Sequence, residues 1–562
     1  KSDGEYAFVE LLKELMSSKL QASLLKNSNI YIPNVCYTHD NQYFEGPDQR
    51  IFDLMSIPSP YVMGLMDKFF NLNLMPSIET TRGCPYSCTF CTDGSSLRSK
   101  IFRKNVDYIA DELEYIASHV KHSPTLAFCD LNFGMYKEDL DTAKIIRKIR
   151  KKHNWPHQMY GSTGKSQPER MSEFGNIIND GDLDIIKMGS SLQSLSDNVL
   201  KAIKRKNLSL TELKSLHNSE NKSQDFTELI IPLPGETKKS FNDGLSQVLD
   251  DVQFNNIAIH HLTMLKGSEM ETDEQRNQFK FKTKFRVFSG CVGNYTINKN
   301  SISIAEIEET VISTKTMTSK DYYDIRIMTL LVKIFIDGDT YKSIFGVLRK
   351  LGVKGINILL EIQNNTINTS SKLTDLFSEY IVTAKEKLFD NEKDIEKFII
   401  GKNITKDFIN SKYVQNELLT FRARAYRDFS DECSKVLKYA IINILKKEKL
   451  HSKKLIQYFD EAIRFSNHRK FDFQSLDESC IKYLYDFVEG DSFGFNIYPD
   501  DINIRTNIHF YYGNEKYIFN KHLKWHGNST ASQWGKFIQK MNWIRMRKQI
   551  KYADFQTHKN LA

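Results

Sequence analysis

Between residues 74 and 266, short β-rich runs take turns with segments of helical period. The candidate strands are LMPSIETT (74–81), TLAFCD (125–130), HQMYGST (157–163), DIIKMGSSLQ (184–193), FTELIIPLP (226–234) and NIAIHHLTML (256–265). Their lengths and β-branched content fit strands. Between the first two lies NVDYIADELEYIASHV, whose Val106, Ile109, Leu113, Ile116 and Val120 recur at three- and four-residue spacing and would cover one helix face. DTAKIIRKIRKKH, SDNVLKAIKRK and KKSFNDGLSQVLDDV fill later gaps in the same way. Strand, helix, strand repetition requires a parallel sheet with right-handed crossovers. The expected fold class is therefore α/β, a partial (β/α)6 TIM-like barrel over residues 71–300. In such architectures chemistry gathers at the C-terminal ends of the strands, where loops vary without disturbing the packed interior.

Residues 1–70 read as an N-terminal segment with a linker, and residues 301–562 as a mainly α-helical C-terminal domain with a small β element near 490–520. The helical patterns are YYDIRIMTLLVKIFI, YKSIFGVLRKLG, FSEYIVTAKEKLF and SDECSKVLKYAIINILKKEKL. FGFNIYP and IHFYYGNEKYIFN read as short strands, the latter a pair joined across Gly513 and Asn514, and SQWGKFIQKMNWIRMRKQIKY as a last helix.

The 562 residues suffice for several cores. The longest apolar run, IMTLLVKIFI (327–336), is half a membrane span and carries Lys333. KSDGEYAF has neither a cationic n-region nor an apolar h-region, so it reads as the edge of a longer chain rather than a secretory signal. With 78 basic and 70 acidic residues, the net charge of +8 speaks to solubility. KIIRKIRKKH (144–153) and WIRMRKQIKY (543–552) read as solvated helix faces, and nucleic acid is not an expected partner. Eight cysteines without a signal sequence suggest thiols in a reducing compartment, so the cytoplasm is the expected location.

Just past the first strand, TTRGCPYSCTFCTDG (81–95) places Cys84, Cys88 and Cys91 within eight positions. A structural zinc closes its tetrahedron with four Cys or His, and no further Cys or His lies between Cys91 and His119. Three unligated surface thiols fit poorly with such crowding. A four-iron four-sulfur cluster takes four thiolates when closed, so three leave one iron open to a substrate or cofactor.

The C-x3-C-x2-C spacing, with aromatic Phe90 immediately before Cys91, resembles the signature of the radical S-adenosylmethionine (SAM) enzymes. That resemblance implies a 4Fe-4S cluster on Cys84, Cys88 and Cys91, SAM chelated at the open iron, and reductive cleavage to a 5′-deoxyadenosyl radical. It implies a reductant such as flavodoxin or ferredoxin and leaves the substrate unknown. It extends over roughly residues 70–290. FCDLNFG (128–134), with Asp130 and Asn132, resembles the stretch whose backbone edge meets the SAM amino group. SLQSLSDNVLKAIKRKN (191–207) is similar to the fourth-strand segment that supplies a Gln and an Arg twelve positions later, here Gln193 and Arg205. ELIIPLPGET (228–237) resembles a segment whose opening carboxylate, here Glu228, meets the SAM ribose. Two departures stand out: GSTGK offers Ser162 and Thr163 where the family often has a carboxylate, and Pro232 replaces a Gly.

DGEYAFVELLKEL and LTMLKGSEM (262–270) resemble the radical SAM class with an N-terminal cobalamin module, which adds cobalamin as a candidate cofactor and methyl transfer to an unactivated carbon as a candidate reaction. The module's D-x-H-x-x-G signature is absent from these residues. A methylthiotransferase-like enzyme is the alternative within the family; it carries a second cysteine trio, whereas Cys36, Cys129, Cys291, Cys433 and Cys480 stand singly. A zinc-stabilised nucleic-acid-binding protein is the alternative outside it. Tyr511, Tyr512 and Trp525 are candidates to line the barrel mouth, with core packing the plainer expectation.

Overall fold

The computed structural model describes residues 3–164, 166–179, 185–186, 189–218, 226–401, 416–472, 475–513, 516, 519–520, 523 and 547–553. The chain divides into two compact units, residues 1–188 and 189–562.

In the first unit, an antiparallel hairpin pairs β1 (Cys36–His39) with β2 (Gln42–Glu45). A parallel sheet follows from the expected strands: β3 (Ser77–Ile78) pairs with β6 (Thr125–Phe128), which pairs with β7 (Gln158–Tyr160). Between β3 and β6, β4 (Thr81–Arg82) and β5 (Phe102–Arg103) form a two-rung antiparallel ladder. The helix Val106–His119 starts where the Asn105 side chain accepts from the Tyr108 N–H at 2.8 Å, satisfying one orphan donor of the first turn. Ile109, Leu113 and Ile116 are buried as the periodicity demands, while Val106 at the helix start stays exposed. KIIRKIRKKH lies in the helix Asp139–His153, which buries Ile146 and Ile149 and exposes Lys151 and Lys152, while Arg150 donates to the Pro156 and Ile178 carbonyls; Lys152 and His153 meet Glu114. These residues join Ile78, Leu126, Phe128, Met159 and Phe174 in one core. Each such buried side chain contributes about 1.5–3 kcal/mol.

In the second unit, β8 (Gly189–Gln193), β9 (Phe226–Ile231) and β10 (Asn256–His261) form another parallel sheet with β9 central. Leu229, Ile231, Ile257 and Ile259 face a core with Leu245 and Leu331, while Ser191, Glu228 and His260 lie on the less buried face. The helix Lys238–Ser246 begins at a Thr237 capping box. All six expected strands thus form, as two three-stranded parallel sheets, one in each unit; barrel closure is not among the described pairings.

A long hairpin was not foreseen: β11 (Lys282–Ile297) pairs with β12 (Asn300–Ser313), running through residue 300 where the sequence suggested a change of domain. Its strands mix charged with apolar residues and carry no Asn-Gly turn signal, so the pattern is weak locally. The helices Ser319–Phe335, Lys342–Lys350, Ser371–Glu386 and Ser430–Lys447 match the four expected runs, while Gly355–Thr369, Glu417–Asp428 and Lys453–Arg469 were not named from the sequence. Arg326 is buried among them, its Nη2 donating to Glu417 Oε1 at 2.6 Å and to Tyr380 Oη at 3.2 Å. Glu417 also receives Lys387 at 3.1 Å, and these cations hold its carboxyl well below the usual range against the opposing effect of burial.

The C-terminal β element differs from expectation. FGFNIYP is not a strand: the helix Phe487–Ser492 ends beside it, and Phe495 takes a left-handed backbone with its ring in the core. An antiparallel sheet instead joins β13 (Ser479–Tyr483), β14 (Thr506–Tyr511) and β15 (Gln549–Tyr552). QIKY, expected at the end of the last helix, is therefore a strand, because Phe510 and Ile550 pair across the ladder. In the second half of the predicted pair, Lys516, Phe519 and Asn520 are helical rather than extended, and Phe519 packs on Phe471, while Trp525 and residues 532–546 of the expected last helix lie outside the described residues. Tyr512 packs on Phe471 and accepts the Asp472 N–H, so it is a packing residue here.

Candidate functional site

The cysteine loop leaves β4 through Gly83, whose φ of +111° suits glycine; a Cβ there would meet the Lys100 carbonyl at 2.4 Å. The Cys84 N–H donates to the Arg98 carbonyl at 2.9 Å, and the β4–β5 ladder closes the loop's base. Inside it, the Cys91 N–H donates to the Cys88 carbonyl at 3.1 Å and the Gly94 N–H to the Cys91 carbonyl at 3.1 Å. A Cβ on Gly94 would stand 2.3 Å from the Cys88 carbonyl oxygen, so the chain folds tightly on itself at the second cysteine. Cys84 and Cys88 are buried, Cys91 and Phe90 half-buried, and all eight cysteines are free thiols.

Among the described residues no group of three or more His, Cys, Asp or Glu side chains is arranged to hold a metal ion. The loop's donor set nonetheless suits an iron–sulfur group, because it offers soft sulfur ligands with no carboxylate or imidazole in C-x3-C-x2-C. Around it, Thr89 Oγ1, Asn132 Oδ1 and the Tyr136 hydroxyl are buried with no partner among the described residues.

Asp130 and Asn132 follow β6, and the structure gives them different surroundings. Asp130 accepts the Thr80 N–H at 2.7 Å and the Thr80 hydroxyl, tying the end of β6 to the segment that leads into the cysteine loop. Burial pushes its carboxyl up to about 6, against the lowering effect of those hydrogen bonds. Asn132 Nδ2 lies 3.5 Å from Cys84 Sγ, a donor aimed at sulfur. The backbone edge of FCDLNFG is committed at Phe133, whose N–H donates to the Ser162 carbonyl at 2.9 Å and whose carbonyl accepts the Gly164 N–H at 3.0 Å. Ser162 and Thr163 thus act through their backbone, as a one-bridge extension beside Phe133.

The N-terminal segment reaches the same loop. Asp3 accepts the Ile51 N–H at 2.6 Å and Arg50 Nε at 3.1 Å, while Arg50 Nη1 donates to the Leu97 carbonyl at 2.6 Å. Arg82, in β4, pairs with Glu5 and Glu79 at 2.7 Å each, and these carboxylates raise its pKa against the lowering effect of burial.

In the second unit, Gln193, Arg205 and Glu228 gather around β8. Gln193 ends the strand with φ +64° at a register shift against β9; it is 7% exposed, and its Oε1 is buried without a partner. A left-handed non-glycine residue with an unsatisfied amide costs free energy, and such strain persists where function requires it. Arg205 Nη2 donates to the Ser191 carbonyl and its Nε to Asn207 Oδ1 at 2.8 Å, while Asn207 Nδ2 donates to the Leu192 and Ser194 carbonyls at 2.8 Å each. Ser191 Oγ donates to Glu228 Oε2 at 2.6 Å, and Glu228 Oε1 lies 3.4 Å from His260 Nε2. The PGET carboxylate, Glu236, is by contrast buried and structural: it accepts the Ser194 hydroxyl at 2.6 Å and the Ser240 hydroxyl, and burial raises its pKa.

Ser191, Asn207 and His260 were not singled out from the sequence. His260 and His261 adjoin at the end of a predicted strand, and period-two alternation would have put one of them on the face of Glu228; Asn207 carries no such signal.

Residues 78–247 match the radical SAM superfamily. The chain is similar to the cobalamin-dependent radical SAM methyltransferase TokK of Streptomyces tokunonensis, 31% identical over 50% of this chain and 41% of that one. It is also similar to a 2-(S-pantetheinyl)-carbapenam-3-carboxylate methyltransferase of Streptantibioticus cattleyicolor, 30% identical over the same shares. The match thus spans less than half the length of these curated relatives. Among solved structures, the radical SAM methyltransferase TsrM of Kitasatospora setae aligns over 53% of this chain and 56% of its own, with 14% identity and a TM-score of 0.36, too loose a likeness to establish a shared fold. Radical SAM enzymes use a 4Fe-4S cluster and SAM. The three-cysteine loop after the first strand thus lies inside the stretch, residues 78–247, that matches the radical SAM superfamily, and a cobalamin-dependent radical SAM methyltransferase is among the chain's relatives.

Proposed function

We propose that this chain is the catalytic portion of a cobalamin-type radical SAM methyltransferase, acting in the cytoplasm on an unactivated carbon of a substrate yet to be identified. The observation that carries the proposal is the three-thiol loop, tied shut at its base and free of competing hard ligands, in a chain whose curated relatives include the cobalamin-dependent radical SAM methyltransferase TokK.

Cys84, Cys88 and Cys91 hold three irons of the cluster, drawn together as the metal binds; metal binding and local ordering are one equilibrium in such sites. A cluster held there would supply the one-electron chemistry that this class of enzyme performs on SAM. Phe90 stands beside the last ligand and shields it from water. Gln193 offers an unpaired amide oxygen to the amino or ribose donors of SAM, at a strained backbone position that fixes its direction. Glu228, oriented by Ser191, accepts from the ribose hydroxyls, and Arg205, braced by Asn207, faces the SAM carboxylate. Asp130, hydrogen-bonded to Thr80, positions the loop beside the SAM site. The N-terminal segment, bonded to Arg82 and Leu97, is where a cobalamin module would adjoin. A flavodoxin- or ferredoxin-type protein supplies the electron. No helix among the described residues is long and apolar enough to cross a membrane.

The test is anaerobic reconstitution with iron and sulfide, followed by reduction with SAM. A brown protein with about four irons per chain and release of 5′-deoxyadenosine is expected. Cys84→Ala, Cys88→Ala and Cys91→Ala each lose iron, while Cys433→Ala keeps it. A colourless zinc protein with salt-sensitive nucleic-acid binding overturns the proposal.

A further inference from the structure

Asn132 and Tyr136 lie outside the cysteine motif on one turn, both with buried polar groups, and Asn132 meets Cys84. Asn132 is 3% exposed, with Nδ2 3.5 Å from Cys84 Sγ and Oδ1 unpartnered. The Tyr136 hydroxyl is buried and has no partner among the described residues; burial raises its pKa, and the Cys84 sulfur is the next largest influence in the same direction. A buried phenol left unsatisfied is costly, so a partner supplied by a bound group offsets the arrangement.

The surroundings hold both donors in place. The Arg103 guanidinium sits 4.3 Å from the Tyr136 ring centroid, and its Nη1 donates to Asp139 Oδ1 at 2.9 Å. Asp139 Oδ2 in turn accepts the Gly134 N–H at 2.8 Å and the Tyr136 N–H at 3.0 Å. The turn from 132 to 136 is thereby fixed by a carboxylate that is 1% exposed and paired with a cation. Gly134, with φ +88° and Phe174 within 2.8 Å of any Cβ, lets this turn pass close to the core.

We infer that Asn132 and Tyr136 are positioning residues for the iron–sulfur group, donating to the Cys84 sulfur side of it and raising its reduction potential. The inference rests on the cluster reading above. A donor hydrogen bond draws charge from a thiolate or sulfide and favours the reduced, more negative state, which is how surrounding groups tune such centres. Asn132, expected from the resemblance at the SAM amino group, acts here on sulfur instead.

The experiment compares wild type, Asn132→Ala, Tyr136→Phe and the double variant after anaerobic reconstitution. Iron per chain is measured first, then the midpoint potential of the cluster by titration followed by electron paramagnetic resonance, without SAM. Each single variant is expected to keep its iron and lower the midpoint by about 59 mV, a tenfold change in the one-electron equilibrium. The double variant is expected to fall further. Unmoved midpoints in iron-replete Tyr136→Phe and Asn132→Ala overturn the inference and leave the proposed function standing. Should Asn132→Ala fail to hold iron, Tyr136→Phe, which keeps the ring stacked under Arg103, decides alone. A wild-type chain that takes up no cluster overturns both.

Discussion

Ser191 and Glu228 meet across neighbouring parallel strands, the serine hydroxyl donating to the carboxylate at 2.6 Å from a position 37 residues earlier in the chain. The bond aims one carboxylate oxygen and leaves the other toward His260, which is 55% exposed. An oriented, half-buried carboxylate on the less buried face of a parallel sheet can accept paired hydroxyls, as a ribose offers. Glu228→Ala in reconstituted protein should weaken SAM binding about tenfold to a hundredfold, the worth of a hydrogen bond to a charged group. Ser191→Ala should have a smaller effect. Equilibrium dialysis with SAM checks this, and equal affinity in all three proteins refutes the role.

His260 should matter for turnover but not for the metal. His260→Phe is expected to retain its iron and to slow 5′-deoxyadenosine release about tenfold, because it removes the polar group beside Glu228. Iron analysis and chromatography of the reduced, SAM-treated protein read both quantities. Full activity in the variant would remove His260 from the site.

Gly94 should be indispensable to cluster loading. An alanine there would place its Cβ 2.3 Å from the Cys88 carbonyl oxygen, which forces the backbone between the second and third ligands to move. Gly94→Ala should lose most of its iron while far-ultraviolet circular dichroism stays unchanged. Gly267→Ala is a control outside the loop, since an added Cβ there meets nothing within 4 Å although its φ is +84°.

Asp130 should leave a pH signature on stability. Its folded pKa, about 6, lies above the unfolded 3.8, so the native state binds more protons between those values. Stability therefore falls as pH rises through that window, by about 3 kcal/mol for a shift of this size. Asp130→Asn keeps an acceptor for the Thr80 N–H and removes the titration. The difference between wild type and variant in urea unfolding of the metal-free chain, measured from pH 4 to 7, should change by about that amount in favour of the variant. A difference curve flat with pH contradicts it.

Glu417 should dominate the stability of the helical region. Arg326, 2% exposed, would lose its charged partner in Glu417→Gln, and breaking a buried pair costs about 3–5 kcal/mol. Because the cations hold the folded pKa of Glu417 below its unfolded value, this contribution is present above about pH 4.5 and is lost as pH falls through the folded pKa. Chemical denaturation of the variant at neutral pH and of wild type into the acid range tests both.

Local signals carried much of the architecture. Ile109, Leu113 and Ile116 are buried because a 3.6-residue period puts them on one face, whatever the helix packs against. The six strands were legible from β-branched runs, and the cysteine loop from spacing alone. The β11–β12 hairpin was not legible, since its mixed strands are held by cross-strand pairing that a single strand's pattern does not display. QIKY shows the same limit: its neighbours favour a helix, and only Phe510 across the ladder makes it a strand.

The site divides the same way. Gln193, Arg205 and Glu228 could be named as candidates from the family resemblance, because the order and interval that carry it are properties of the chain read end to end. That Asp130 holds Thr80, that Asn132 turns to Cys84 and that Ser191 aims Glu228 depended on contacts between residues 50, 48 and 37 positions apart. Ligand identity and element type are short-range information, written in composition and period. Which donor meets which acceptor is settled only when long loops close and strands choose their register, so roles beyond the three thiols belonged to the tertiary structure.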